Sequence, residues 1–292
     1  MINGTSGPTS RVYFSQRLRL HYVDWGNDDA PPLILQHGGR DHCRSWDWVA
    51  KGLDQNRFRI IAPDLRGHGE SAWANDGVYD MASLVYDLSE IVRQLELTGV
   101  RLVGHSLGGS IAVRYAAVCP EAVSRLVAIE GISQGRTVAG EDGKPNPAAQ
   151  MRAWFAEQRE IVRRPLRPVE TLEEGVARMR SNNPRLTADQ AEHLTRHALR
   201  KASDDRFRWK FDPAGRVGAF DDISRDEVRA LRGDITCPVL LIYGKDSWAT
   251  DPQTDGRLEH FRNARLVMAE GAGHWVQHDR LDLVLEELAG FF

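Results

Sequence analysis

The sequence predicts an α/β fold: a mostly parallel sheet flanked by helices, with a helical cap inserted into it. Three observations carry this. Short apolar runs alternate with amphipathic stretches over the first 131 residues. From 132 to 234 strand signals fade, while helical spacing and prolines dominate. The strand–helix rhythm then returns from 235 to 292. The expected division is therefore a core of 1–131 plus 235–292, interrupted by a cap of 132–234.

Taken in order, 17–25 (RLRLHYVDW) alternates like a strand with one solvated face. Residues 32–36 (PLILQ) and 58–62 (FRIIA) are continuous apolar runs, as strands buried on both faces require. A helix is expected over 45–53, and another over 81–95, whose apolar positions fall on one face. Residues 100–103 form a short strand, 107–119 a small-residue helix and 126–129 another strand. In the insert, 151–163, 172–180 and 188–201 read as helices; Thr187 with Gln190 matches a capping box for the last. Residues 238–243 and 264–268 are strands, and 281–292 is a closing helix.

Composition narrows the partners. The net charge of -3 over 292 residues gives no electrostatic reason for a nucleic-acid or membrane partner. The insert carries 20 Lys and Arg against 17 Asp and Glu, which reads as a solvated helical surface rather than an anion receptor. Cys43, Cys119 and Cys237 are too sparse for a disulfide framework. Cys119 and Cys237 are expected as buried thiols, and Cys43 lies in a loop near the expected site. The first ten residues lack the basic and apolar regions of a secretory signal, and no apolar run is long enough to span a bilayer, so a cytoplasmic location is expected.

The chemistry is concentrated at Gly104-His105-Ser106-Leu107-Gly108, with Gly109 behind it. This G-x-S-x-G run sits between a strand and a helix, the context a nucleophile elbow needs. The sharp turn strains the serine backbone, and side chains two residues away on either side would collide, so Gly104 and Gly108 remove them. The helix start then places the Leu107 N–H where an oxyanion would develop. A second donor is expected in Gln36-His37-Gly38-Gly39-Arg40, from the Gly39 N–H, with the Arg40 N–H as the alternative.

Ser106 needs a base. His274, in Gly271-Ala272-Gly273-His274-Trp275, follows the last strand and comes late in the chain, as the order nucleophile, acid, base requires. His278 is expected to be solvated. The acid is expected at Asp246, past the strand 238–243; Glu130, past the strand 126–129, is its rival on the same sheet edge. Asp64 is expected to hold the backbone of the loop that follows it. Arg40, His105, Trp248 and Trp275 are candidate substrate contacts, with Asp41 and His42 beside them. Trp154, Phe155 and Trp209 are candidates for the cap side of the pocket.

These motifs, together with Pro63-Asp64-Leu65-Arg66-Gly67-His68-Gly69-Glu70-Ser71, resemble the α/β-hydrolase superfamily along nearly the whole chain. The resemblance implies a triad of Ser106, Asp246 and His274, a cap after the sixth core strand, and neither metal nor organic cofactor. Ser106 argues against epoxide and haloalkane hydrolysis, because those relatives carry Asp at that position. The expected reaction is cleavage of a small-molecule ester through an acyl-enzyme. Lactonase, amidase, carbon–carbon hydrolase and cofactor-free perhydrolase chemistries use the same triad. A slow-turnover ligand receptor is the non-enzymatic alternative.

Overall fold

The structure is a computed structural model that describes residues 7–132, 146–163, 166–216 and 224–292. The main sheet comprises β1 (Thr9–Ser15), β2 (Leu18–Asp24), β3 (Pro32–Gln36), β4 (Arg59–Pro63), β5 (Val100–His105), β6 (Val123–Ile129), β9 (Val239–Gly244) and β10 (Ala264–Ala269). Between β6 and β9, β7 (Leu199–Lys201) and β8 (Phe207–Trp209) form a separate antiparallel hairpin. Strand order in the main sheet is β1-β2-β4-β3-β5-β6-β9-β10. The β1–β2 and β2–β4 pairs are antiparallel and the others parallel. The fold class expected from the sequence is the one observed.

Helices cover both faces. α2 (Met81–Gln94) and α3 (Leu107–Val118) bury one apolar layer against the sheet. α1 (Asp47–Gly52) and α9 (Leu281–Phe291) cover the other. Most residues of α3 are buried, which is why its sequence is small and apolar all round instead of amphipathic.

The insert carries α4 (Pro147–Arg163), α5 (Leu172–Asn182), α6 (Ala188–Ala198) and α7 (Arg225–Gly233). The capping box of Thr187 and Gln190 is formed at the start of α6. One expectation is corrected here. The helix expected over 188–201 stops at Ala198, because Leu199 to Lys201 pair with β8. The insert, dominated by helices, thus carries one short hairpin. Within the insert, α7 packs on α3 of the core. Residues 133–145, where the cap was expected to begin, lie outside the described residues. α8 (Val276–Asp279) links β10 to α9. Among the described residues no helix is long and apolar enough to cross a membrane.

Sheet register positions the site. His105 pairs with Ile129, and Ile129 with Ile242. Ser106 and Glu130 therefore leave neighbouring strands at the same level, whereas Asp246 lies beyond the turn that follows β9.

Candidate active site

Ser106 joins β5 to α3 with φ 53° and ψ −117°, a strained conformation for a residue with a side chain. The elbow is closed by contacts that admit no further atoms. A Cβ on Gly104 would lie 2.4 Å from the Gly108 carbonyl oxygen, and one on Gly108 would lie 2.3 Å from that of Gln36. The Ser106 N–H donates to the Ile129 carbonyl (2.9 Å), tying the elbow to β6.

The loop after β3 lies against this elbow. A Cβ on Gly38 would come within 3.1 Å of the Ser106 Cβ. Asp64 anchors the loop by accepting hydrogen bonds from the Cys43 N–H (2.7 Å), the Glu70 N–H (2.9 Å) and His21 Nδ1 (2.7 Å). Burial alone would raise the Asp64 pKa, but the His21 hydrogen bond and the neighbouring imidazoles hold it well below the usual carboxylate range. His68 donates from Nδ1 to the Arg66 carbonyl (3.0 Å), so its Nε2 is the acceptor for the Arg40 N–H (2.9 Å). That contact occupies the Arg40 N–H and removes it as an oxyanion donor. The Gly39 and Leu107 N–H groups have no acceptor among the described residues.

His274 lies in the loop between β10 and α8. This loop crosses β9 where only glycine fits: a Cβ on Gly244 would lie 2.3 Å from the Gly273 carbonyl oxygen. The crossing brings His274 Nδ1 to 3.1 Å from Glu130 Oε2. Glu130, whose side chain is completely buried, also accepts from the Gly244 N–H (2.7 Å) and from Ser247 Oγ (2.7 Å). It sits at φ 53°, a left-handed conformation that turns the chain off the end of β6. Ser106 and His274 line the same two cavities, with no direct hydrogen bond between their side chains. Such bonds often tighten only when substrate is present.

The expectation that Asp246 partners His274 is not met by this geometry. The Asp246 carboxylate is 49% exposed and accepts from Arg185 Nη2 (2.9 Å), a residue of the insert. The physical reason is the turn after β9. It folds Gly244 and Ser247 around Glu130 and turns Asp246 outward. Ser247 carried no motif that would mark it from sequence, although its place just past β9 put it on the right edge.

The candidate substrate contacts divide. Arg40 and Trp275 line both the Ser106 cavity and a neighbouring cavity against the cap. Trp248 is 77% exposed and lies over His274, with ring centroids 4.5 Å apart and planes 34° apart. His105 is different. It is buried, and its Nε2 donates to the His274 carbonyl (2.9 Å), so it supports the loop that carries His274. Burial and the neighbouring His274 push its pKa well below the ordinary value, so it is neutral. His278 is buried, not solvated. Trp209 lines the cap-side cavity, whereas the Trp154 and Phe155 rings lie beside each other, tilted by 56°, and Phe155 is exposed.

Among the described residues one cluster has metal-ligand chemistry. One atom each of His21, Cys43 and Asp64 lies within 4.8 Å of the others, and all three residues are buried. Their polar atoms are already committed. Asp64 takes three hydrogen bonds, and His21 Nε2 contacts Ser10 Oγ (2.7 Å). Burial also raises the Cys43 thiol pKa, which opposes the thiolate a metal would need. This arrangement anchors the loop that follows β3. The cysteines form no disulfide, and Cys119 is only partly buried.

Comparison with known proteins agrees with this layout. The family model described as "alpha/beta hydrolase fold" matches residues 31–281. Esterase Rv0045c of Mycobacterium tuberculosis is 30% identical over 98% of this chain and 91% of that protein. Among solved structures, the thioesterase domain from the curacin biosynthetic pathway superposes with a TM-score of 0.82 at 19% identity, covering 97% of this chain and 100% of the other. E-2-(acetamidomethylene)succinate hydrolase gives 0.77 at 22% identity, covering 97% and 98%. The chain thus belongs to the α/β-hydrolase fold family, as a hydrolase-class enzyme with a cap inserted between β6 and β9.

Proposed function

We propose that the protein is a serine hydrolase that cleaves small-molecule carboxylic esters, with Ser106 as nucleophile, His274 as base and Glu130 as acid. The observation that carries this reading is the buried Glu130–His274 contact beside a strained serine on the same sheet edge. The family relative named an esterase supports the ester as substrate.

The chemistry follows from proton positions. A His274 Nδ1–H donated to Glu130 leaves Nε2 as the basic nitrogen. In the acylation step Nε2 takes the Ser106 proton as Oγ bonds to the ester carbonyl carbon. The carbonyl oxygen becomes an oxyanion held by the Gly39 and Leu107 N–H groups. Collapse breaks the carbon–oxygen bond to the alcohol, which leaves with the proton from Nε2. Water then attacks the acyl-enzyme, giving its proton to Nε2; the acid departs as Ser106 regains a proton. Throughout, Glu130 accepts the Nδ1–H and stabilises the imidazolium. Arg40, Trp248 and Trp275 face the substrate.

The test is a nitrophenyl acetate assay paired with fluorophosphonate labelling. Steady turnover after a burst is expected, with labelling at Ser106. Ser106→Ala should lose about 10⁴-fold or more in kcat while folding normally. A burst without turnover would instead indicate the receptor alternative.

A further inference from the structure

Three rings surround the imidazole of His274, and they are placed differently. The Trp248 ring centroid lies 4.5 Å from that of His274, with the planes 34° apart. Rings lying side by side would interpenetrate at that separation, so the indole presents its face to the imidazole. Trp275 lies 5.3 Å away and nearly perpendicular, at 81°. His105 lies 4.9 Å away, tilted by 52°, and is a second imidazole rather than an electron-rich ring.

The position of Trp248 is not a by-product of core packing. At 77% exposed, it is more open to solvent than any other large hydrophobic side chain among the described residues. The turn after β9 holds it in place nonetheless. The Asp246 N–H donates to the Ala272 carbonyl (2.9 Å), which ties the turn to the loop that carries His274. Ser247 Oγ donates to Glu130 (2.7 Å) and accepts from the Ala249 N–H (3.0 Å). The hydroxyl that supports the Glu130 carboxylate therefore also fixes the backbone from which the indole extends.

In the reaction proposed above, His274 is neutral at rest and becomes an imidazolium only on taking the Ser106 proton. An indole face stacks weakly on a neutral imidazole but attracts a cation through its quadrupole. The contact is thus stronger in the transition state than in the resting enzyme, which is the condition for lowering a barrier. Glu130 acts in the same sense at the edge of the ring, through Nδ1. The neighbouring charges of Asp246 and Arg185 are paired with each other.

We propose that Trp248 is a positioning residue that acts through His274, its indole face stabilising the imidazolium formed in each step. The inference rests on the serine-hydrolase reading and deepens it, giving Trp248 a role in reactivity besides facing the substrate.

Fluorinated tryptophan at position 248 tests this. Mono-, di- and tetrafluoro analogues nearly keep the shape of the ring while draining electron density from its face. Three rates are measured: kcat/KM for nitrophenyl acetate, kcat/KM for trifluoroethyl acetate, and the rate of fluorophosphonate labelling at Ser106. All three should fall stepwise with fluorine number, by about tenfold in total and by the same factor for both esters. Trp248→Leu should reach the same floor, and Trp248→Phe should lie between it and wild type, each checked for folding by its melting curve. If Trp248→Leu does not fold, the fluorine series still decides. Rates indifferent to fluorine would overturn the proposal and leave Trp248 as a cover for the loop. A loss confined to the nitrophenyl ester would also overturn it, in favour of direct contact with an aromatic leaving group. A wild-type protein that neither turns over nor labels would overturn the hydrolase reading and this inference with it, whereas an active enzyme indifferent to fluorine would overturn this inference alone.

Discussion

Two loops at one edge of the sheet each offer a carboxylate, and they are built in opposite ways. The loop after β6 presents Glu130 at a left-handed backbone position, wholly buried, accepting from a backbone N–H, a serine hydroxyl and His274. The loop after β9 presents Asp246, half exposed and held by one arginine of the insert. Chain order favours Asp246, because the acid commonly follows the later strand. Burial and partner geometry favour Glu130. The loop after β9 contributes to the site, but it does so through Gly244 and Ser247, as donors to the carboxylate of its neighbour.

The largest expected effect in this comparison is at Glu130. Glu130→Gln should reduce kcat by about 10⁴-fold, since an amide cannot fix the imidazole tautomer or stabilise its cation. KM for a small nitrophenyl ester should change little. A loss at Glu130 smaller than that at Asp246→Asn would return the acid to the β9 loop. Next in size is Ser247→Ala, which deletes one donor to the Glu130 carboxylate and leaves the base contact in place. Loss of a charge-assisted hydrogen bond of about 1.5–3 kcal/mol predicts a decrease in kcat of roughly 10–100-fold. If Ser247→Ala is silent while Glu130→Gln is severe, the Gly244 N–H alone suffices to orient the acid.

The contrast also explains what the sequence could reveal. The elbow at Ser106 and the crossing beside His274 have local signatures, the glycines that a sharp turn and a close approach demand. The carboxylate that reaches His274 has no local signature. Its identity depends on the register of three strands and on how the chain turns off each of them, which are properties of the assembled sheet. The same holds for smaller elements. β1 is exposed along most of its length and shows no clean alternation, so only its pairing with β2 reveals it. β7 directly extends α6 and has three residues, too few to break a helical pattern. His278 looked solvated among charged neighbours, and the insert, through Gln190 and the helix it starts, is what buries it.

That burial makes the junction of core and cap sensitive to acid. His278 and His197 have pKa values lowered from 6.5 to about 4 and about 3, first by burial. At pH 7 both are neutral whether the chain is folded or not, so neither contributes to the pH dependence there. Between pH 6.5 and 4 the unfolded chain binds protons that the native state refuses, and stability falls as pH falls. For His278 alone the full loss is of order 3 kcal/mol. Urea midpoints measured at pH 7 and pH 4.5 should show this decline, and His278→Asn should make it shallower. An unchanged slope in that variant would place the acid sensitivity elsewhere.

The smallest expected effect belongs to Asp246 itself. Its partner Arg185 also donates to the Gly271 carbonyl (2.8 Å), so the pair ties the insert to the loop that carries His274. Both side chains are more than two-fifths exposed, at 43% and 49%. Exposed ion pairs contribute roughly 0–1 kcal/mol, because water screens the attraction and ordering two side chains costs entropy. Asp246→Asn keeps the shape and one acceptor oxygen, so Arg185 retains a hydrogen bond and loses only the charge. The expected outcome is a kcat/KM within about threefold of wild type on a small ester and a stability change below about 1 kcal/mol. Salt supplies an independent reading. Raising ionic strength screens an exposed pair, so the small difference between Asp246→Asn and wild type should vanish at about 1 M salt. A large, salt-insensitive loss of kcat would mean that Asp246 swings inward during turnover and shares the role of Glu130.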